Sequence, residues 1–385
     1  MAALQKYRPA IAAFVQMMAM ALTTTALSFF VGPVCEGMGF GRGSFTVYYS
    51  IMTAAGTVAS PFLGQAIQRW GVARLALVSA FWTAVGLFLF SICSELWMFY
   101  LAGAVTGFFG TACVTLCASV TVQTCYQGST ASRLTGIVMA GSGAGGMIVS
   151  FLLPRLIEQL GWRWGYRFTA VCWLVMGLTA SWLLWGRQQF RSVQSQPKDG
   201  MTRVQALRSG ELYLLILVIF LLSAASGIQQ QLPGVLSDVG LDTQRVSFAM
   251  SVFTAALALG KILQGFVYGR IGAKRGGAVM ICFYAAGFLL LGWGCALPGL
   301  LTLAVGMGTI TTLMPIATRT VFGGLEYASI WSVLLMFSNL GAMIAAPLFG
   351  MAFDLTGSYG GAMTAAAVML VPALRVLLGV LRTEC

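Results

Sequence analysis

Long apolar runs separated by short polar breaks dominate the chain. Each run comes close to the roughly 20 residues that carry a helix across the hydrocarbon core of a bilayer. The first six fall at about 10–31, 45–67, 72–93, 96–121, 134–157 and 166–186. The longest polar stretch follows, RQQFRSVQSQPKDGMTRVQALRSG, residues 187–210. Six more runs come after it, at about 211–231, 246–268, 276–296, 299–319, 328–350 and 360–381. The pattern predicts an all-α membrane protein with twelve transmembrane helices in two pseudo-symmetric six-helix bundles. The expected division is a first bundle at 1–186, a linker at 187–210 and a second bundle at 211–385.

Composition supports this. The chain is 58% hydrophobic and 8% charged, where a soluble domain carries about 25% charged residues. Too few polar side chains exist to coat a water-facing surface, so the lipid bilayer is the expected solvent and partner. A net charge of +12 in a soluble protein would suggest nucleic acid. Here the Lys and Arg residues sort by topology instead, and no nucleic-acid partner is expected. With the amino terminus cytoplasmic, 15 of the 22 Lys and Arg residues fall on the inner side and five on the outer. Lys261 and Arg375 lie within runs. That bias places both termini and the linker in the cytoplasm. The first run is too long for the h-region of a secretory leader, about 7–15 residues, so no leader is expected. The nine cysteines fall mostly inside apolar runs, as small core hydrophobes do.

Histidine is absent, which removes the usual proton carrier near neutral pH and the commonest metal ligand. No pair of acids shares a span centre, and no Walker motif or metal-ligand cluster occurs. The expectation is no enzyme, no metal and no cofactor. A sensor would usually carry a soluble signalling domain, and the longest polar stretch is only the linker.

The halves resemble each other. GQAIQRWGVAR (64–74) lies over GFVYGRIGAKR (265–275) at an offset of 201, and SGAGGMIVSFLLPRLIEQLG (142–161) over SNLGAMIAAPLFGMAFDLTG (338–357) at 196. Glu158 answers Asp354 in the second pair. The matches put span two on span eight and span five on span eleven. Repeats six spans apart share a topology, and such parallel repeats build transporters with a midplane substrate site.

The two G-x3-[QG]-R-x-G-x2-R turns resemble the signature loop of the major facilitator superfamily. GSGAGG (141–146) on span five resembles that family's fifth-helix gating motif, and the resemblance covers nearly the whole chain. It implies the major facilitator fold, a secondary transporter working by rocker-switch alternating access, and a monomer. It also implies gating roles for Gly64, Arg69, Gly71 and Arg74, for Gly265, Arg270, Gly272 and Arg275, and for Gly145, Gly146 and Gly341. GFGRGSFTVYYSI (39–51), LGWRWGYRF (160–168) and FDLTGSYGGAM (353–363) look like the monocarboxylate transporter and oxalate:formate antiporter branches. One departure is clear: the acid that usually precedes the loop arginine is Gln68 in one half and Gly269 in the other. The charge relay that this acid provides is not carried over.

Lys261 is the sharpest candidate for chemistry. A lysine near the bilayer centre costs roughly 2.5–3.5 kcal/mol on insertion scales. Arg375 is close enough to a span end to snorkel; Lys261 is further in. The acids Asp238, Asp242 and Glu326 stand near span ends. The bland reading is a partly snorkelled lysine or one bonded to backbone carbonyls. The functional reading is a counter-charge for an anionic substrate. In the resembled monocarboxylate family, an eighth-helix arginine four residues before a glycine holds the substrate carboxylate. Lys261 stands four residues before Gly265 and looks like that position, with a point charge in place of a bidentate fork. Span eleven reads MFSNLGAM, with Ser338 and Asn339 and no second cation, which suits a single carboxylate. Leu257 stands where some members carry a proton-coupling acid.

The resemblance makes spans one, four, seven and ten line the path. Thr24, Thr115 and Gln229 are the expected contacts there, with Asn339, Ser338 and Tyr49. Gln16, Thr111, Gln230, Thr309 and Thr312 share those spans. Hydroxyls in membrane helices more often pack helices or bond backbone than bind ligands. The expected substrate is a small organic anion, a monocarboxylate, with a coupled proton or counter-anion; the alternative is efflux of neutral or amphipathic small molecules. The topology has a direct test. Cysteine placed at Ser195 in a background without native cysteines should resist impermeant thiol reagent in intact cells, whereas rapid labelling from outside would overturn the orientation.

Overall fold

The structure is a computed structural model that describes residues 2–185, 200–232, 235–236, 240, 243–356 and 358–381. The expectations attached to Ser195, Asp238, Asp242 and Gly357 lie outside the described residues. So does most of the linker, and so do the side chains of Thr111, Gln230, Phe353 and Asp354. Helices occupy every predicted run. Span two is Arg42–Trp70, span three Val72–Phe90, span five Gly128–Leu160 and span six Trp162–Leu184. Span seven is Gly210–Ser226, span eleven Tyr327–Thr356 and span twelve Gly360–Val380.

Ten helical stretches among the described residues are long and apolar enough to cross a membrane. Two features relate ten to the expected twelve. Phe248–Gly292 is 45 residues long, about 67 Å at 1.5 Å per residue and twice the roughly 30 Å hydrocarbon core. It holds spans eight and nine, broken at Gly272. Arg42–Trp70 has 29 residues but is more polar. Its hydroxyls bond within the helix: Thr57 Oγ1 donates to the Thr53 carbonyl at 2.9 Å and Ser60 Oγ to Gly56 at 2.8 Å. Donors satisfied this way need no water. Large exposed side chains such as Phe62, Val175, Trp182 and Leu259 then face lipid.

Span one departs from an unbroken run. It is Ala2–Met20 followed by Thr25–Ser28. Between them the backbone changes pitch: Leu22 and Thr23 donate three residues back, and Ala26 donates five back to Ala21. The Thr23 and Thr24 hydroxyls both donate to the Met20 carbonyl at 3.0 Å. Consecutive threonines compete for helical carbonyls in this way. Spans four and ten are also divided, into Leu96–Phe109 with Thr111–Cys125 and Ala296–Met307 with Thr309–Phe322.

The chain forms two compact units. The first comprises Met1–Cys125, Gly141–Lys198 and Trp331–Met336; the second comprises Tyr126–Ala140, Asp199–Ile330 and Phe337–Cys385. Inside each, helices meet where glycine leaves the backbone open. A Cβ on Gly103 of span four would lie 2.8 Å from the Tyr48 carbonyl of span two. A Cβ on Gly86 would lie 3.0 Å from the Thr106 nitrogen, and one on Gly287 would lie 2.6 Å from the Leu303 Cα. Gly86 and Gly287 stand at the 201-residue offset of the loop repeat, so the repeat extends into helix packing.

The turns after spans two and eight repeat as well. Gly71 has φ 80° and ψ 161°, and Gly272 has φ 79° and ψ 164°. This region of backbone space is open essentially to glycine alone, at about 1–3 kcal/mol for another residue. Gly71→Ala and Gly272→Ala should each lower the thermal midpoint of the purified protein accordingly. Gly379→Ala, at a helical site with nothing within 4 Å of the added Cβ, should be neutral or slightly stabilising. Equal midpoints across the three would refute the turn assignment.

Candidate functional site

Span eight carries a polar stripe through an apolar helix. Lys261, Gln264 and Tyr268 stand at i, i+3 and i+7, on one helical face. All three are buried, and Lys261 is the one charged side chain in the buried set among the described residues, at 9% exposure. It lies eleven residues before Gly272, about 16 Å along the axis and near the middle of its span.

The stripe packs on the break in span ten, within the second unit. The Gln264 amide nitrogen donates to the Val305 carbonyl and, at 3.2 Å, to Thr309 Oγ1. Thr312 Oγ1 donates to Gln264 Oε1. Gln264, Thr309 and Thr312 are fully buried, so this amide–hydroxyl cluster is a closed polar joint. Gly308 makes room for it: a Cβ there would lie 3.0 Å from the Gln264 amide and 3.1 Å from Lys261 Cγ. The Lys261 stem is thus laid across a glycine, and its Nζ donates to the Met139 carbonyl at 3.4 Å.

Met139 belongs to the early part of span five, which joins the second unit. The crossing with span eight is made at Gly136 and Gly265. A Cβ on Gly265 would lie 2.8 Å from the Ser132 carbonyl and 2.9 Å from the Gly136 Cα. Arg133 lies over the Phe266 ring at 5.7 Å. Such small-residue spacing allows backbones to touch in a membrane.

In the first unit, Thr24 Oγ1 donates to the Met20 carbonyl and Thr115 Oγ1 approaches the Met20 sulfur at 3.6 Å. The two threonines therefore converge on one methionine. Tyr49 is half-buried, beside Tyr48, whose hydroxyl donates to the Leu27 carbonyl at 3.5 Å. Gln16 lines a small pocket with Ser79, Cys113, Cys117 and Trp173. In the second unit, Ser338 and Ser223 hydroxyls bond each other at 2.7 Å. Asn339 is half-buried and Gln229 exposed.

Among the glycines, Gly145 faces the Met18 carbonyl, with no space for a Cβ, and Gly146 lies near Thr25. In the other half, a Cβ on Gly341 would lie 2.6 Å from the Phe220 carbonyl. Span five thus meets span one as span eleven meets span seven. Gly64 and Gly265 are buried, while Arg69, Arg74, Arg270 and Arg275 are exposed at the loops. Cys35, Cys93, Cys113 and Cys117 are buried, whereas Cys282 and Cys295 are exposed, and the described cysteines are free thiols. Among the described residues, no group of three or more Cys, Asp or Glu side chains could hold a metal.

Gln264 is the residue that the reading of the sequence missed. Its signal was present: a second polar side chain one turn after Lys261, inside the same apolar run.

Comparison with known proteins agrees with this architecture. The agnestins efflux protein AgnL12 of Paecilomyces divaricatus is 24% identical over 332 residues, 83% of this chain and 74% of that protein. The sialic acid transporter NanX of Escherichia coli is 24% identical over 235 residues, 60% of this chain and 57% of that protein. The crystal structure of the E. coli fucose:proton symporter FucP superposes with a TM-score of 0.75 at 13% identity, covering 98% of this chain and all of that one. The model of the Major Facilitator Superfamily matches residues 10–346, and the chain belongs to that superfamily: it is a multi-pass membrane transporter and not an enzyme.

Proposed function

We propose that the chain carries small organic anions, monocarboxylates, by alternating access, with the Lys261 ammonium holding the carboxylate. The observation that supports this is a buried positive charge near the middle of a span. Its insertion costs roughly 2.5–3.5 kcal/mol, and its bond to the Met139 carbonyl is long, at 3.4 Å. Charge-assisted bonds are about 2.7–2.9 Å long. A carboxylate supplies both that bond and the opposite charge. A relative named for transport of sialic acid is consistent with an acidic substrate. Asn339 and Gln229, in the same unit as Lys261, are the proposed further contacts, and the Ser338 hydroxyl beside Asn339 is held by Ser223. A coupled proton or counter-anion completes the cycle, with the linker and both termini on the cytoplasmic side.

The second reading is efflux of neutral or amphipathic molecules. The uncharged cluster around Gln264 and the relative named as an efflux protein favour it.

We further propose that Gly145 and Gly341 act in gating. Each lets its helix rest on a neighbouring carbonyl, so leucine at either site would hold the pair apart. Gly145→Leu and Gly341→Leu should insert normally and transport at a small fraction of the wild-type rate. Normal rates in both would show that these crossings do not move.

For Lys261 the expected pattern is specific. Lys261→Gln should lose carboxylate affinity by about 2–5 kcal/mol, as a buried charge pair does when one member is removed. Lys261→Arg should retain part of it, because charge survives while shape changes. The measurement is monocarboxylate affinity of the purified variants, with thermal stability followed in parallel. Unchanged affinity in Lys261→Gln would sink the anion reading and promote the neutral-solute one. A merely structural lysine predicts a neutral or stabilising Lys261→Met.

A further inference from the structure

We propose that the bond from the Lys261 ammonium to the Met139 carbonyl is a latch across the crossing of spans five and eight, and that the substrate carboxylate opens it. The inference rests on the reading of Lys261 as the carboxylate's partner, and it adds how binding is communicated to the helices.

The geometry of the crossing carries the argument. At Gly136 and Gly265 the two backbones are in contact, with a Cβ on Gly265 only 3.0 Å from the Arg133 carbonyl and closer to Ser132 and Gly136. Lipid tails are as apolar as the helices, so no hydrophobic force presses them together; packing and interhelical polar bonds hold them. The Lys261 bond is such a tie, at the crossing itself: a Cβ on Gly136 would find no space beside the Lys261 carbonyl. It crosses from a side chain of one helix to the main chain of the other at 3.4 Å.

Three features make the tie exchangeable. Its length exceeds that of a charge-assisted bond, about 2.7–2.9 Å, so a carboxylate is the better acceptor. Met139 lies inside helix Gly128–Leu160, where a carbonyl also accepts from the amide four residues on, so losing the ammonium leaves that oxygen bonded. The Lys261 stem lies against Gly308, which has no side chain of its own to pin it. When the ammonium turns to a carboxylate, the crossing loses this polar tie and keeps its packing and the Arg133–Phe266 contact. Spans five and eight then separate more readily.

The test uses the full-length protein without native cysteines. Arg133→Cys and Phe266→Cys are placed together, because those side chains already face each other across the crossing. Oxidative crosslinking is followed with sodium lactate against sodium chloride at equal ionic strength, and thermal stability is measured on the same samples. Lactate should raise the thermal midpoint and slow crosslinking about fivefold or more, the range of ordinary coupling between sites. With Lys261→Gln added, crosslinking should already be slow and insensitive to lactate. Lactate that stabilises the protein and leaves crosslinking unchanged would overturn the latch and leave the anion reading standing. Failure of lactate and of a panel of other monocarboxylates to stabilise the protein would remove both. If the cysteine pair folds poorly, hydrogen exchange in 128–140 and 257–269 of the wild-type chain reads the same separation. Lactate should increase exchange there, and no increase despite stabilisation would again overturn the latch.

Discussion

Helices in a bilayer cannot be pressed together by the exclusion of water, so their backbones must come close enough for packing itself to hold them. That constraint organises this protein. Its close approaches are made by glycines set against carbonyls or bare backbone of a neighbouring helix. Gly103 meets Tyr48, Gly145 meets Met18, Gly265 meets Ser132 and Gly341 meets Phe220. A methyl group at these points would occupy the space of the partner's main chain. The 47 glycines include residues that locate the helices as firmly as a large side chain locates a soluble core.

The same constraint explains how the repeat survives where the sequence has drifted. Gly71 and Gly272 adopt nearly the same φ and ψ at corresponding turns. Gly86 and Gly287 sit at matching crossings, and so do Gly145 and Gly341. Apolar side chains facing lipid exchange freely, because lipid imposes no shape on them. A glycine at a backbone contact or in a glycine-only turn leaves far less room for exchange. What the halves still share is mainly this set of positions.

The apolar runs made the helices legible, because only a helix satisfies its own backbone across a membrane. The turn at Gly272 was legible through its match to Gly71. The break in span one was not, since counting apolar residues does not register the competition of Thr23 and Thr24 for the Met20 carbonyl. The early boundary of span five was also missed. Polar residues such as Ser129 and Arg133 ride on a helix beginning at Gly128, beyond the apolar segment that announces it. At the site, Lys261 stood out by charge alone. Gln264 did not, because a single amide in a membrane helix has many uses; only its bonds to Val305, Thr309 and Thr312 show that it joins span eight to the break in span ten. Ser338 shows the converse: a hydroxyl selected for its position is engaged with Ser223.

Packing and chemistry converge on the same few residues. Lys261 lies one turn before the glycine of a helix crossing, its stem crosses a second glycine at Gly308, and its nitrogen reaches the helix on the other side of the crossing. Moving the charge by one residue would rotate it about 100° around the helix, away from both glycines. An arginine would lay the same stem on Gly308 but place a planar fork where the compact ammonium now meets the Met139 carbonyl. A lysine fits because its unbranched stem can lie flat and its compact head can turn between acceptors. The backbone contact that holds spans five and eight together therefore also limits what cation can stand between them, and how far it can reach.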